Sequence, residues 1–368
     1  MRLTIVQALP ALESGGVERG TLEIAAEIVR QGHRSIVVSQ GGRLVKNLTS
    51  GGSEHINLPV GKKSVSVLLC VKKLARLLVE ENVSILHARS RLPAWICFLA
   101  LKKIHPDLRP NFVTTVHGQY SVNRYSKIMV RGDRIIAISN FINNYIRDNY
   151  PDIDTNKISI IPRGVSMTEF PPGYTPAADW LANWHSNHPF LNGKYIVTLP
   201  ARLTRLKGHE DFINILGSGI AAGLPLHGLI VGGAAPGKQH YLNQLRNRAV
   251  EKGIKNNITF IGHRDDLREI MAVSNVVLSL TQIPEAFGRT VLEALSIGRP
   301  VIAYNHGGVS EIMRELYPAG CVEPFDTAGV VNKLKEFSNH SPPVNNSNPF
   351  TLESMTQQTM ALYHGFYN

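Results

Sequence analysis

The sequence predicts an α/β protein made of two doubly wound parallel-sheet domains. Three observations support this fold class. The chain of 368 residues is long enough to bury two cores, short apolar runs rich in β-branched residues alternate with helical patterns, and this alternation breaks off once and then restarts. Because ligands of open α/β sheets bind beyond the carboxyl ends of the strands, tandem domains of this type favour a site in a cleft between them.

The first domain is predicted to span residues 1–170. Continuous apolar runs are typical of parallel strands that are covered by helices on both faces. Such runs occur at residues 3–6, 35–38, 83–86, 112–116, 134–138 and 158–161. The first domain should therefore contain a parallel sheet.

The second domain is predicted to span residues 193–350. It follows a predicted linker at residues 171–192, which is rich in proline and poor in periodic apolar residues. Its strands are the runs at 195–199, 226–231, 258–261, 276–280 and 300–303. Residues 338–349 have the composition of a surface loop. Residues 351–368 regain helical spacing and are predicted to form a C-terminal helix that can pack back on the first domain.

Positive charge is concentrated in the first domain. The net charge is +11, and residues 1–170 carry 23 Lys and Arg against 13 Asp and Glu, whereas residues 171–368 carry 16 against 15. Such one-sided charge favours an anionic partner, which could be phospholipid head groups, a phosphorylated acceptor or nucleic acid. We expect no nucleic-acid partner, since the sequence lacks zinc-finger spacing, an aromatic-rich ribonucleoprotein signature and a recognition-helix pattern.

The sequence predicts a cytoplasmic location. The apolar stretch at the N-terminus is too short for a signal peptide, and no segment approaches about 18 uninterrupted apolar residues. The three cysteines are scattered among apolar residues, which indicates reduced core residues rather than a disulfide framework or a zinc site.

A glycine-rich turn follows the first predicted strand. Gly15 and Gly16 precede a helical pattern that runs to about Arg30, and adjacent glycines before a helix let backbone N–H groups approach an anion. A tight strand-to-helix turn explains these residues equally well, and their spacing differs from the dinucleotide fingerprint G-x-G-x-x-G. Gly16 is therefore a candidate anion-binding residue.

Two glutamates, Glu285 and Glu293, flank seven residues where a predicted strand ends and a helix begins. Backbone N–H groups at that helix start suit a diphosphate, and the carboxylates can accept hydrogen bonds from hydroxyl-rich groups on either side of it. Either glutamate alone could be a helix-capping group. The pair in this setting favours a binding site.

A basic loop with Arg202, Arg205 and Lys207 follows the first strand of the second domain. Three cations at this spacing can converge on a diphosphate, arginine as a bidentate fork and lysine as a point charge. The alternative is a solvated basic loop, which would be preferred if the glutamate pair were absent.

The spacing of the two glutamates resembles glycosyltransferase family 4, and the resemblance extends over nearly the whole chain. It implies the GT-B architecture, in which two Rossmann-like domains face each other across a cleft. It also implies transfer of a sugar from a nucleotide diphosphate with retention of the anomeric configuration and without a metal or other cofactor. In this family the leaving diphosphate helps to deprotonate the acceptor. The sequence has no Asp-x-Asp motif in the donor region.

The resemblance also assigns roles to individual residues. Glu285 would hold hydroxyls of the donor sugar, and Glu293 would hold the ribose hydroxyls. Arg202 and Lys207 would bind the β-phosphate and stabilise it as it leaves. The backbone amides of Phe287, Gly288, Arg289 and Thr290 would hold the phosphates, while Gly232, Gly233, Gly262, His263 and Asp265 resemble a phosphate-proximal turn and a nucleobase pocket. Many relatives carry an aliphatic or polar residue at the position of Arg289, so this cation can alter sugar or acceptor contacts.

Two segments of the first domain carry further candidate residues. A lone histidine is usually structural, but a histidine followed by glycine contacts the transferring sugar in this family, and His117 with Gly118 matches that position. Arg89 and Arg91 follow an earlier strand and are candidates for binding an acidic acceptor. These segments look most like bacterial enzymes that build lipopolysaccharide or other surface glycans, which implies a glycan or glycolipid acceptor near a membrane. Residues 161–165 resemble the family's signature at the exit from the first domain.

A basic amphipathic stripe at residues 62–78 is predicted to be helical. Its cations Lys62, Lys63, Lys72 and Lys73 and its apolar face suit an anionic membrane surface. It predicts peripheral association with the inner face of the cytoplasmic membrane. A core-facing helix with a solvated side explains the same pattern.

Two alternative functions remain open. A sugar-nucleotide epimerase or hydrolase of the same fold would need acid and base carboxylates that the sequence does not reveal. A non-catalytic sugar-nucleotide-binding protein is disfavoured because the candidate residues Arg202, Lys207, Glu285 and Glu293 are all present. A nicotinamide-dependent dehydrogenase is excluded by the missing glycine fingerprint.

Overall fold

The chain folds into two compact units. The computed structural model describes residues 1–13, 15–62, 65–234 and 239–367. The first unit comprises Met1–Gly164 together with Leu352–Asn368, and the second comprises Val165–Thr351. Each unit contains one parallel sheet whose strands alternate with helices, as the sequence predicts.

The first unit is built on a seven-stranded parallel sheet with the order β3-β2-β1-β4-β5-β6-β7. Its strands are β1 (Thr4–Ala8), β2 (Arg34–Ser39), β3 (Glu54–Asn57), β4 (Ile85–Ala88), β5 (Asn111–Val116), β6 (Arg134–Ala137) and β7 (Ile158–Ile160). Its helices up to residue 164 are α1 (Gly16–Arg30), α2 (Val45–Ser50), α3 (Leu69–Glu80), α4 (Arg91–Leu101) and α5 (Asn140–Asn149). The chain order reverses beside β1, which places the ends of β1 and β4 at a switch point.

The second unit is built on a six-stranded parallel sheet with the order β10-β9-β8-β11-β12-β13. Its strands are β8 (Tyr195–Pro200), β9 (Leu226–Val231), β10 (Ile258–Gly262), β11 (Val276–Ser279), β12 (Val301–Tyr304) and β13 (Cys321–Val322). Its helices are α6 (Ala178–Asn187), α7 (His209–Ala221), α8 (Gln239–Glu251), α9 (Leu267–Ala272), α10 (Arg289–Ser296), α11 (Gly307–Leu316) and α12 (Thr327–Asn339). The switch point lies between β8 and β11, next to the two predicted binding loops.

The structure corrects the predicted linker at residues 171–192. Helix α6 lies within this segment and belongs to the second unit. Trp184 and Leu191 are buried in a core cluster with Leu229 and Ile270, and Trp180 packs against the same cluster. The many prolines obscured this helix, although Trp180 and Trp184 have the i, i+4 spacing of one helical face.

The C-terminal helix α13 (Leu352–His364) belongs to the first unit. Its residues Met355, Met360 and Tyr363 are buried in the same core cluster as Ile5 and Ile24. The Tyr363 hydroxyl is hydrogen-bonded to Nδ1 of His87 at 2.7 Å. The first unit is therefore built from two separate stretches of the sequence.

The basic stripe at residues 62–78 is helical over a shorter range than predicted. Helix α3 begins at Leu69, so Lys62 lies before the helix, and Lys63 lies outside the described residues. Lys72 and Lys73 are exposed on α3, whose opposite face is buried. Among the described residues, no helix has both the length and the apolar character needed to span a bilayer.

Candidate active site

Three loops of the second unit meet at the carboxyl ends of β8, β9 and β10. The Leu203 N–H donates to the Gly233 carbonyl at 3.1 Å, and the Gly232 N–H donates to the Gly262 carbonyl at 2.8 Å. A Cβ atom on Gly232 would overlap the carbonyl of Ala201, so the close approach of these loops requires glycine there. The structure thus brings three of the predicted donor-binding glycines together.

His263 follows this glycine cluster and faces solvent. Its side chain is 67% exposed, and Nε2 lies 3.4 Å from the carboxylate of Asp265. Its Cβ atom lies next to Gly233. Because most of its side chain is uncovered by the part of the chain that the structure describes, His263 is accessible to a ligand.

The three cations of the basic loop have different surroundings. Lys207 forms an ion pair with Glu285. Arg205 instead donates to Glu210 on α7 at 3.0 Å and to a glutamine on α8. Arg202 is exposed and has no ion-pair partner among the described residues. Arg205 therefore does not join Lys207, whereas Arg202 is free to reach a ligand.

The position of Lys207 is fixed by a contact between two loops. Gly208 adopts a φ of 72°, and a Cβ atom there would overlap the carbonyl of Leu280. The N–H of Gln282 donates to the carbonyl of Leu206 at 2.8 Å. This backbone contact holds the basic loop against the segment that leads to Glu285.

The loop before α10 is held by Gly288, which the resemblance singled out, and by Gly307 and Gly308, which it did not. Gly288 precedes α10 with a φ of 98°, in the left-handed region that favours glycine. The Gly308 N–H donates to the backbone carbonyl of Glu285 at 2.7 Å, and a Cβ atom on Gly308 would overlap the carbonyl of Ala286. A Cβ atom on Gly307 would overlap the backbone carbonyl of Glu285. Gly307 and Gly308 follow β12 and precede a helix, just as Gly15 and Gly16 follow β1 and precede α1. This shared sequence pattern could have identified Gly307 and Gly308.

An open cavity lies at this point, and its empty space of about 430 Å³ includes open solvent. It is lined by backbone and side chains from the ends of β8 and β11, and by Lys207, Glu285 and Thr290. The side chains of Lys207 and Glu285 are 30% and 26% exposed, so both remain within reach of a ligand. The first turn of α10 has N–H groups without intrahelical acceptors, which favours an anion at this end of the cavity.

The residues around this helix start differ in what they can offer a ligand. The ring of Phe287 is buried and packs edge-on against Phe350 at 5.9 Å, so Phe287 can contribute only backbone groups. Arg289 donates through Nε to the carboxylate of Glu293 at 3.0 Å, one turn along the helix. Glu293 is therefore engaged by a cation in the unliganded chain, and Arg289 occupies the side of α10 where the ribose was expected.

In the first unit, α1 begins at Gly16, directly after Gly15. Gly15 has a φ of 142°, and a Cβ atom there would press against the Glu18 carboxylate. A Cβ atom on Gly16 would meet none of the described residues within 4 Å. The helix start at Gly16 is therefore open to a ligand.

His117 lies at the carboxyl end of β5 and is half-buried. Its Nδ1 is hydrogen-bonded to the guanidinium of Arg163 at 2.9 Å, and its backbone N–H donates to the Tyr120 hydroxyl at 3.3 Å. Nε2 is buried and has no hydrogen-bond partner among the described residues. Burial, and then the charges of Arg163 and Arg89, hold the pKa of His117 well below its usual range. His117 is therefore neutral at physiological pH.

The two arginines predicted to bind an acceptor are both engaged within the first unit. Arg89 is only 2% exposed and donates to the Gln7 side chain at 2.6 Å, and burial lowers its pKa to about 10. Arg91 begins α4, donates to Ser126 at 3.1 Å and lies over the ring of Tyr120. Arg89 is thus buried in this conformation, whereas Arg91 is partly exposed, and the acceptor role of both arginines stays a prediction.

Comparison with known proteins identifies the family. The family described as Glycosyltransferase Family 4 matches residues 14–169, and that described as Glycosyl transferases group 1 matches residues 182–348. A crystal structure of a glycosyltransferase from Rickettsia africae is 30% identical, with a TM-score of 0.87 over 100% of this chain and 99% of that chain.

More distant relatives cover almost the same length. HepE of Anabaena, solved in complex with UDP and glucose, is 19% identical with a TM-score of 0.82, over 99% of this chain and 100% of that one. The N-acetyl-alpha-D-glucosaminyl L-malate synthase of Bacillus anthracis is 23% identical over 90% of this chain and 87% of its own. The chain therefore belongs to glycosyltransferase family 4, and it is a glycosyltransferase with the GT-B fold.

Proposed function

We propose that this enzyme transfers a sugar from a nucleoside diphosphate sugar to a glycan or glycolipid acceptor with retention of the anomeric configuration. The observation that carries this proposal is the cavity in which Lys207, Glu285 and the first turn of α10 meet. One end of the cavity favours an anion because of the ammonium group and the helix start. The carboxylate of Glu285 suits a hydroxyl-rich group beside that anion. A sugar diphosphate combines both features.

The proposed mechanism depends on electrostatic stabilisation of the leaving group. As the bond between the anomeric carbon and the diphosphate oxygen breaks, negative charge grows on the β-phosphate. Lys207, the exposed Arg202 and the N-terminus of α10 stabilise that charge. The acceptor hydroxyl oxygen bonds to the anomeric carbon on the same face, and its proton passes to the departing diphosphate. The diphosphate thus accepts the proton of the acceptor hydroxyl, and no side chain of the protein acts as the base.

The other residues have binding roles in this proposal. Glu285 accepts hydrogen bonds from hydroxyls of the donor sugar, and His117 donates from Nε2 to a sugar hydroxyl. The Gly232, Gly233 and Gly262 turns bring backbone groups close to the nucleotide. Glu293 binds the ribose hydroxyls, either after its hydrogen bond with Arg289 has opened or while its carboxylate also accepts from Arg289. That HepE was solved with UDP and with UDP-glucose supports a nucleoside diphosphate sugar as donor.

We also propose that the acceptor is attached to a membrane and that the enzyme acts at the cytoplasmic face, as in the synthesis of lipopolysaccharide or another surface glycan. The exposed face of α3 supports this. It carries Lys72, Lys73 and Arg76, and Leu68 and Leu69 at its N-terminal end are 53% and 69% exposed. Cations beside exposed leucines suit an anionic bilayer surface.

A screen of nucleotide sugars tests this function directly. Each candidate donor is assayed for thermal stabilisation of the protein and for slow hydrolysis, and active donors are then offered with glycan and glycolipid acceptors. The anomeric configuration of the product is read by NMR. An inverted product would refute retention. Interconversion of the donor sugar without transfer would identify an epimerase, and binding without any turnover would identify a sugar-nucleotide-binding protein.

A further inference from the structure

Gly20 lies in the interior of α1, where glycine weakens a helix relative to alanine. A glycine at such a position usually has a packing reason. Here the reason is the side chain of Arg163, because a Cβ atom on Gly20 would overlap its Nη1 atom. A Cβ atom on Gly16, one turn earlier on the same helix, would contact no other described residue. The guanidinium of Arg163 therefore occupies the space that a side chain at position 20 would fill.

Arg163 follows β7 and is 8% exposed. Besides its contact with Gly20, it approaches the sulfur of Met355 at 3.8 Å and donates through Nη2 to Nδ1 of His117 at 2.9 Å. These contacts come from α1, α13 and the end of β5. The guanidinium is thus fixed from several directions and cannot turn away from the imidazole without disturbing the core.

This hydrogen bond decides where the proton of His117 lies. A guanidinium has only donors, so Nδ1 must accept, and a neutral imidazole then carries its proton on Nε2. Nε2 is the buried atom that has no hydrogen-bond partner among the described residues. A donor that is buried and unpartnered in the free protein is available for a ligand.

We propose that Arg163, seated against Gly20, is a positioning residue that holds His117 as the Nε2–H tautomer and presents this N–H as a hydrogen-bond donor to the substrate. The identity of the acceptor as a hydroxyl of the transferred sugar rests on the proposed function. The tautomer does not, because it is a property of the free protein. The two can therefore fail separately.

The surroundings of the imidazole also oppose its protonation. The titratable and charged groups that face it are Arg163, Arg89 and His87, while Tyr120 accepts from its backbone N–H. Burial, the charges of the two arginines and the neighbouring His87 keep the pKa of His117 well below its usual range. A protonated ring would also set two donors against each other between Nδ1 and Nη2.

NMR of the full-length protein labelled with ¹⁵N-histidine tests the tautomer. Long-range ¹H–¹⁵N correlations distinguish a protonated from an unprotonated ring nitrogen, and the His117→Gln spectrum assigns His117 among the 14 histidines. We expect a protonated Nε2, an unprotonated Nδ1 and a pKa of His117 below the usual histidine value. A wild-type His117 whose neutral ring is protonated on Nδ1 overturns the proposal without any variant.

Variants then test the role of Arg163. In Arg163→Met the His117 ring should populate both tautomers, and its pKa should rise. Arg163→Lys should restore the wild-type spectrum in part. Gly20→Ala should shift the His117 spectrum in the same direction as Arg163→Met. Gly217→Ala is the matched control, because Gly217 also lies inside a helix and its added Cβ would make only ordinary contact with Lys252. An unchanged His117 spectrum in both Arg163→Met and Gly20→Ala would refute the positioning role.

Kinetics connect the tautomer to turnover. With an active donor, Arg163→Met should lower kcat about tenfold and change KM little, since the donor hydrogen bond is misdirected rather than removed. If Arg163→Met does not fold, the wild-type and Gly20→Ala spectra still decide. A wild type without turnover on any nucleotide sugar would refute the proposed function, whereas the spectra would still report the tautomer.

Discussion

Replacing Lys207 by alanine is the most informative single change in the second unit. The substitution removes the ammonium group that faces the cavity and leaves Glu285 without its ion-pair partner. Lys207 is partly exposed and its main chain is held by Gly208 and Leu206, so the backbone should keep its place. We expect the fold to survive, because an ion pair of this exposure contributes at most about 1 kcal/mol to stability.

The expected loss of activity follows from charge and exposure. Two unit charges about 4 Å apart interact by about 4 kcal/mol at an effective dielectric constant of about 20. Lys207 is 30% exposed and Glu285 is 26% exposed, so we reduce this by about half for solvent screening. The remaining 2 kcal/mol or so corresponds to about a 30-fold lower kcat. Because this charge acts on the leaving group, kcat should fall more than KM rises.

The assay is steady-state transfer with the donor identified by the nucleotide-sugar screen. Arg205→Ala is the matched control, since it removes a cation from the same loop that is directed to Glu210 instead of the cavity. We expect Arg205→Ala to change kcat by less than about twofold. Near-native turnover in Lys207→Ala, or an equal loss in Arg205→Ala, would show that Lys207 does not stabilise the leaving group.

Three further predictions concern metal, membrane and pH. Transfer should persist in excess EDTA, and a complete loss that magnesium or manganese restores would move the enzyme to another mechanistic class. Replacing Lys72, Lys73 and Arg76 by glutamine should sharply reduce co-sedimentation with anionic vesicles at low salt, since each cation contributes about 1 kcal/mol, while donor hydrolysis stays nearly unchanged; equal binding to neutral vesicles would contradict this. The pKa values of His87 and His117 are depressed in the folded state, so the unfolded chain binds more protons below about pH 6.5. The free energy of unfolding from urea titrations should therefore fall with decreasing pH, by up to about 1.4 kcal/mol per pH unit for each histidine, and a flat profile would contradict it.

The fold class was predictable because the strands of both sheets are buried and apolar. All residues of β4, β9 and β12 are buried, and their sequences are runs of mainly apolar residues. Strands β3 and β13 were missed for the opposite reason. Each lies at the edge of its sheet, β3 has the partly exposed sequence Glu-His-Ile-Asn, and β13 has two residues. An edge strand receives its hydrogen bonds from one neighbour, so its own sequence needs little apolar character.

The candidate site was predictable where a motif specifies both residue type and position in the fold. Lys207 and Glu285 lie 78 residues apart in sequence, yet the structure places them in contact. The acceptor role of Arg89 stays a prediction, because the sequence places Arg89 after a strand without showing that its side chain is buried. No role was predicted for Gly307, Gly308 and Gly20. Each allows a segment that is distant in sequence to approach so closely that a Cβ atom would overlap it, and the sequence does not show this approach.

The C-terminal helix has a consequence for how the protein is made. The core of the first unit includes Leu3 and Ile5 from the beginning of the chain and Met360 and Tyr363 from its end. On the ribosome, the whole of the second unit is synthesised before the last helix of the first becomes available. Until then, the part of the first unit that precedes residue 165 exposes the apolar surface that α13 covers in the folded protein. A premature stop just before Leu352 would leave every predicted donor-binding residue in place and still remove part of the core of the first unit.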